Sequence, residues 1–401
     1  MISVVGIGLE GIGSASPRGR RLLAQASVVV GTDRHLALAG ESSAQRLCWD
    51  GSPDSLEPLL AAHASDRTVL LASGDPNLFG IGSSLIERLG PDAVDVEPSV
   101  SSLQLALARA RVPGAGTALL SAHGRPLAAA AGLAASSRRA AILTDPRHDP
   151  AALAAALLEL GVEENARLVV CERLGSPSER VRESSLGHCP PGPFDPLAVV
   201  VLDRRSGPGP GLGRPEAAYE HSGQITKSEV RSISLAALDP GPDDVVWDVG
   251  AGSGSVAIEA ARLACRGAVY AIERRPDRAQ QARGNSARSW NVEVLVGEAV
   301  ELLPRLPTPD AIFLGGGGDQ IGALLQICLT RLGERSSPLP GRLVANLATL
   351  DSVVEAVAVL RLAGLSWNLS QVSVARAREL AGRLNWEAQN PVHVLAVRMP
   401  R

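Results

Sequence analysis

Between Val245 and Glu273 the chain reads VVWDVGAGSGSVAIEAARLACRGAVYAIE, and few folds accommodate such a run. VVWDVG has the continuous apolar character of a buried strand. Gly250, Gly252 and Gly254 make a turn, Ser255 to Ala264 carries helical apolar spacing, and GAVYAIE returns as a second strand ending on Glu273. In a strand–turn–helix–strand unit of this kind, glycines let the backbone approach a ligand closely. A carboxylate at the tip of the second strand suits a ribose diol, which can donate two hydrogen bonds to it.

Two ligand classes use this framework. Dinucleotide sites follow G-x-G-x-x-G, whereas the spacing here is G-x-G-x-G, with Asp248 two residues before the first glycine. An anionic pyrophosphate is poorly served by a carboxylate beside its turn. S-adenosylmethionine carries an ammonium and a sulfonium and no phosphate, so Asp248 favours it. A nicotinamide-dependent reductase remains the rival reading of the same loop.

The chain has 401 residues, enough for two domains. A net charge of −3 and only ten aromatic residues give no electrostatic footprint or stacking surface for nucleic acid. No run approaches the ~18 apolar residues of a membrane span, and MISVVGIGLEGIG lacks the basic leader of a signal peptide. Scattered cysteines without a C-x-x-C, and histidines without metal-ligand spacing, point to a cytoplasmic, metal-free protein. Of 39 basic residues only Lys227, in GQITKSEVR, is a lysine. A compact ammonium just before the glycine loop suits a place where a planar guanidinium would not fit.

Glycine and proline crowd into LDRRSGPGPGLGRPEAAY, which predicts a semi-extended linker over 204–222 between domains at 1–203 and 223–401. In the first domain, strands at ISVVGIG, SVVVG, TVLLAS, AVDVEP, AAILTD, ARLVVCE and LAVVVLD alternate with helices, an α/β pattern whose later strands suit a second, mixed lobe. In the second, a helix capped by Thr226 with Glu229 as its capping-box partner leads into about seven strands, a doubly wound sheet with ligand at the strand C-terminal ends.

Further candidates fall at strand ends. Glu298-Ala299 offers an acceptor and room for an adenine ring. PDAIFLGGGG, with Gly315 and Gly316, replaces the polar clamp of amine methylases with backbone space, as a large flat substrate methylated at carbon requires. In the first domain Gly8 follows strand one, and Gly74-Asp75-Pro76 makes a tight turn. Ser101 lies in EPSVSSLQLA, and His123 and Arg125 in SAHGRP.

Through VVGIGLEG, VVVGTDRHL, LASGDPNLFGIGSSL, EPSVSSLQLALAR and LLSAHGRP, the first ~200 residues resemble the tetrapyrrole (class III) methylases. The last ~180 resemble the class I decarboxylating precorrin methyltransferases, through GQITKSEVRSISL, WDVGAGSGSVAIEAARL, YAIER, GEA, PDAIFLGG and NPV. Their fusion resembles the bifunctional precorrin C5,15-methyltransferases of corrin (cobalamin) biosynthesis. The resemblance implies a two-lobed methylase fold followed by a Rossmann-like, seven-stranded methyltransferase fold. It also implies methylation of a modified tetrapyrrole at carbons 5 and 15, loss of the ring C acetate as carbon dioxide, and one S-adenosylmethionine per domain. Implied cofactor contacts are Thr226, Asp248, Gly250, Ala251, Gly252, Ser253, Gly254, Glu273 and Ala299 in the second half, and Gly8, Gly74, Asp75 and Ser101 in the first. Leu9-Glu10 stands where many relatives have Gly-Pro-Gly. Lys227 is the candidate catalytic residue, His123, Arg125, Gly315 and Gly316 are the substrate side, and a homo-oligomer (dimer or tetramer) is expected. A cobalt-bearing substrate and an RNA or protein methylase are the alternatives.

Overall fold

Short valine- and leucine-rich strands with helices between them build a parallel sheet at the start of the chain. Its strands are β1 (Ile2–Ile7), β2 (Val28–Gly31), β3 (Gln45–Cys48), β4 (Thr68–Ser73) and β5 (Val94–Glu97), in the order β3-β2-β4-β1-β5, every pair parallel. Val4, Val5, Leu70 and Leu71 are wholly buried in its centre, as expected where helices cover both faces. A second sheet follows, from β6 (Ala118–Ser121), β7 (Arg139–Leu143), β8 (Arg167–Glu172), β9 (Arg180–Ser185) and β10 (Val199–Asp203). Its order is β6-β7-β10-β8-β9, with β10 antiparallel to both neighbours. The expected two lobes, one parallel and one mixed, are present.

The computed structural model describes residues 1–400 apart from positions 42, 64, 206–211, 316, 317 and 338, and divides into two units: Met1–Leu158 with Val162–Gly207, and Pro208–Arg401 with Glu159–Gly161. In the second unit β11 (Val245–Val249), β12 (Ala268–Glu273), β13 (Val292–Val296), β14 (Ala311–Leu314) and β15 (Arg342–Leu347) are parallel. They are joined by β16 (Trp367–Val372), a separate hairpin of β17 (Ala375–Leu380) and β18 (Arg383–Ala388), and β19 (Val392–Arg398). The seven-stranded order is β13-β12-β11-β14-β15-β19-β16, with β19 antiparallel to both its neighbours. The order reverses beside β11, so a crevice opens at its C-terminal end between β12 and β14, where such sheets place ligands. Trp247, Ile312, Leu314, Leu343 and Leu395 form the core beneath.

Two local expectations are corrected. The helix before β11 runs Ser228–Leu238 with Lys227, not Thr226, at its N-cap and no side-chain cap. Glu216 takes that role instead, accepting from the Ser228 N–H at 2.9 Å. Nor is the whole of 204–222 an extended tether. Positions 206–211 lie outside the described residues, but Leu212 packs on the second core and Glu216–Ala218 is a short helical turn. The N–H groups of Gly213 (2.8 Å) and Arg214 (3.0 Å) and the Tyr219 hydroxyl (2.9 Å) all donate to Glu259. A carboxylate buried in the helix Ser255–Leu263 needs such donors, and this stretch supplies them.

Candidate active site

In the second unit the site grows from the end of β11. Gly250, Gly252 and Gly254 have φ of 81°, 56° and 76°, a left-handed run that side chains disfavour. The N–H groups of Gly250 and Ala251 both donate to Ile272 O at 2.9 Å, which ties the turn to β12. Glu273, next along β12, is 5% exposed. Its Oε2 accepts from Gly252 N–H and its Oε1 from Arg275 N–H, each at 2.9 Å. Each oxygen keeps a further lone pair, so the carboxylate is held in place with acceptor capacity to spare. Gly297 N–H donates to Glu273 O at 3.1 Å, setting the start of the helix Ala299–Leu302 beside that carboxylate.

Asp248 does more than face the turn. It is 1% exposed, and its Oδ2 accepts from Ala257 N–H at 2.8 Å, capping the helix that Gly254 cannot cap. Its Oδ1 and the Ser253 hydroxyl are buried without partners among the described residues. Burial pushes the Asp248 carboxyl up to about 7; the Ala257 bond opposes this and the Glu273 charge adds to it. An orphaned carboxylate oxygen under a glycine turn fits a ligand bearing a cation or hydrogen-bond donors better than a phosphate.

Of the segment before the helix Ser228–Leu238, Gln224 comes near the loop and Thr226 is held by Arg231. Arg231 Nη1 donates to Thr226 O at 2.6 Å, and a Cβ on Gly252 would sit 4.0 Å from Gln224 O. The Lys227 ammonium is partly exposed and makes no ion pair among the described residues. Gly315 donates to Val249 O at 2.8 Å, and a Cβ there would meet Gly250 O at 2.8 Å. That glycine is therefore required for β14 to close against the loop, a structural duty the sequence reading did not assign to it. Gly316 lies outside the described residues.

In the first unit Gly8 follows β1, Gly74 and Asp75 follow β4, Ser101 lies beyond β5, and His123 and Arg125 lie beyond β6. Gly8 N–H donates to Ser14 Oγ at 2.6 Å, and Gly74 N–H to Ile7 O at 2.9 Å. A Cβ on Gly6 would lie 1.8 Å from Gly74 O, so no other residue fits beneath this turn. Asp75 Oδ1 accepts from Asn77 N–H at 2.9 Å, closing an Asx-type turn. Ser101 is engaged locally: its Oγ accepts from Gln104 N–H at 3.2 Å, and Gln104 Oε1 accepts from Ser101 N–H at 2.9 Å, a capping box for Ser102–Ala110. His123 is exposed, and the Arg125 guanidinium lies 5.3 Å over the Phe79 ring.

Sequence reasoning missed Asp145. Its carboxylate accepts from the N–H groups of Gly124 (2.9 Å), Arg147 (2.8 Å) and His148 (2.8 Å), which hold it down to about 2 and fix the His123–Arg125 loop. Only the run TDPRHD after β7, with two acids around a proline, hinted at such a turn.

Two family models divide the chain: tetrapyrrole (corrin/porphyrin) methylases match residues 1–190, and the precorrin methyltransferase domain matches 217–399. Over its whole length the chain is 35% identical to a precorrin-6Y C(5,15)-methyltransferase [decarboxylating] of Sinorhizobium sp, covering 98% of this chain and 94% of that protein. The chain belongs to this decarboxylating C5,15-methyltransferase family. A Mycobacterium tuberculosis protein of the same name is 37% identical over 98% of both chains. Among solved structures, precorrin-6y C5,15-methyltransferase from Geobacter metallireducens is 33% identical, covering 48% of this chain and 98% of that one, with a TM-score of 0.44. Membership makes the chain a methyltransferase, and the two family models fall on the two units.

Proposed function

We propose that the chain methylates metal-free precorrin-6B (precorrin-6Y) at carbons 5 and 15 and releases the ring C acetate as carbon dioxide to give precorrin-8. Each half, 1–203 and 223–401, holds its own S-adenosylmethionine. End-to-end similarity to relatives named for both methylations and the decarboxylation carries this reading; those names include no cobalt, which favours the metal-free substrate.

The methyl donor supplies an activated methyl group on a sulfonium, so the protein contributes chiefly proximity and orientation, together worth up to ~7–11 kcal/mol. In the second half Glu273 would accept the ribose diol, the 250–254 turn would follow the donor's backbone, and Ala299 would leave space for the adenine. The buried, unpartnered Asp248 Oδ1 supports a cationic rather than phosphate-bearing ligand. The acetate carboxylate leaves as carbon dioxide with its C–C electron pair drawn into the ring system, and a proton from solvent then completes the remaining methyl group, so no strong protein base is needed. Lys227, without an ion pair among the described residues, would hold a substrate carboxylate during that step. In the first half Gly8, Gly74 and Asp75 line the donor site, and Arg125 and His123 approach the macrocycle.

A homo-oligomer is part of the proposal, in the cytoplasm. The β17–β18 hairpin leaves Leu380, Leu384 and Trp386 63–80% exposed, and a two-stranded ribbon gains stability once its apolar side is covered. Incubating the purified chain with precorrin-6B and S-adenosylmethionine tests the activity: mass spectrometry is expected to show two methyl groups gained and one carbon dioxide lost. Turnover of cobalt-precorrin-6B alone would move the substrate to the metal-bearing form.

A further inference from the structure

One cluster in the first unit has no part in the reading above. β2 and β4 are parallel neighbours, so the helix Asp33–Leu38 that follows β2 begins beside the end of β4. Arg34 Nη2 donates to Ser73 Oγ at 2.6 Å. His35 sits beneath, its Nε2 2.9 Å from the same hydroxyl and its Nδ1 3.0 Å from Thr32 Oγ1. Burial, and then the Arg34 charge, pull His35 down to about 4, so this imidazole is neutral near pH 7. It fixes the Ser73 hydroxyl, and through it the guanidinium, without adding charge.

Arg34 itself is only partly solvated. Its side chain is exposed, yet the protein around it lowers its pKa by desolvation. It makes no ion pair among the described residues. The acid it senses is Asp195, whose Oδ2 already accepts from Arg173 Nε at 2.9 Å. A partly desolvated guanidinium with one corner tethered and its remaining N–H donors unassigned is prepared for a planar anion. Ser73 immediately precedes Gly74, so this corner adjoins the candidate donor site.

We propose that Arg34 and the Ser73 hydroxyl form a carboxylate-binding subsite that takes one peripheral carboxylate of the tetrapyrrole methylated in the first unit. His35 is its positioning residue. The inference rests on the functional reading above for the identity of the tetrapyrrole, and on geometry for the site. A bidentate guanidinium–carboxylate contact is planar and charge-assisted, so lysine replaces it only in part.

Full-length Arg34→Gln and Arg34→Lys proteins test it. With precorrin-6B and a ¹³C-methyl donor, carbon-5 methylation is read by NMR. Arg34→Gln is expected to raise the tetrapyrrole KM about 10- to 100-fold, the loss of one charge-assisted contact, with the donor KM essentially unchanged and Arg34→Lys intermediate. An unchanged tetrapyrrole KM, or both KM values rising together, overturns the subsite. So does an Asp195→Asn protein that reproduces the Arg34→Gln defect, because Arg34 would then act through that acid. If the wild-type chain turns over no precorrin-6B, the functional reading fails, and the subsite is judged by fluorescence titration with uroporphyrin III. Weaker binding by Arg34→Gln supports it there, and equal binding overturns it.

Discussion

Glu273 is tied to two backbone N–H groups, so its contribution to a ligand is separable from its contribution to the loop. Glu273→Gln keeps one acceptor oxygen and loses the charge; Glu273→Ala loses both. With one or two charge-assisted bonds at about 1.5–3 kcal/mol each, Glu273→Ala is expected to weaken S-adenosylhomocysteine binding at one of two sites roughly 10- to 100-fold. Glu273→Gln should fall between it and wild type. Calorimetric titration of the full chain reads both sites, and two unaltered sites would remove Glu273 from ligand contact. Asp248 makes a prediction in pH. Unfolded, its carboxyl releases a proton near its ordinary 3.8; folded, it holds the proton until about 7. Between those values the folded state binds more protons, so stability falls as pH rises, by at most about 1.4 kcal/mol per unit, and levels off above. Asn at 248 can still accept from Ala257 N–H but has no proton to lose. The difference in urea midpoint between wild type and Asp248→Asn should therefore grow in the variant's favour from pH 4.5 to 7, and a constant difference would show that the aspartate is not shifted.

At the scale of elements, the helix Ser255–Leu263 does two jobs. Its first turn supports the glycine loop, and Glu259 on its buried side gathers the 213–219 stretch and Arg231. Arg231 Nε donates to Glu259 Oε1 at 2.8 Å with both side chains fully buried, and the same guanidinium donates to Thr226 O and Arg214 O. Removing one partner of such a pair strands a buried charge and costs about 3–5 kcal/mol. Arg231→Met should therefore lower the melting temperature of the second unit sharply, and the double change with Glu259→Gln should recover part of the loss; equal melting of single and double variants would show no coupling. This clamp was not legible in the sequence, because Glu259 lies 28 to 46 residues from its partners and each looks unremarkable alone. The sheet centres were legible: β1, β2, β4, β11 and β14 are buried on both faces and read as unbroken apolar runs. The strands that went unread, β3, β6, β9, β16, β17 and β18, lie at sheet edges or in the hairpin, with Ser121 of β6 their one buried residue, so apolar alternation is not required there. Gly250, Gly252, Gly254 and Glu273 could be found because one βαβ unit brings them together within a short length of chain. The bond from Gly124 to Asp145, Arg34 with Ser73, and the cap from Glu216 depend on contacts between elements that no local pattern records.

For the whole molecule, the central question is whether one polypeptide runs two chemistries or one chemistry through two halves. Separate family models match 1–190 and 217–399, and each unit has its own sheets and its own glycine turn, so loss of one site should leave the other working. Gly252→Asp tests this cleanly. At φ 56° aspartate is among the side chains best able to adopt the left-handed region, and no atom closer than 4.0 Å stands where its Cβ would go, so the fold should survive. The new carboxylate would lie on the residue whose N–H donates to Glu273 Oε2, and like charges there disfavour any ligand needing that acceptor. Carbon-15 methylation and decarboxylation should stop while carbon-5 methylation continues, leaving a product with one added methyl group and its ring C acetate intact. NMR with a ¹³C-methyl donor distinguishes the two carbons, and mass spectrometry reports the retained carbon dioxide. If all turnover disappeared from a variant that melts like wild type, the halves would be coupled through a shared intermediate or a shared donor, and the two-site reading would fail.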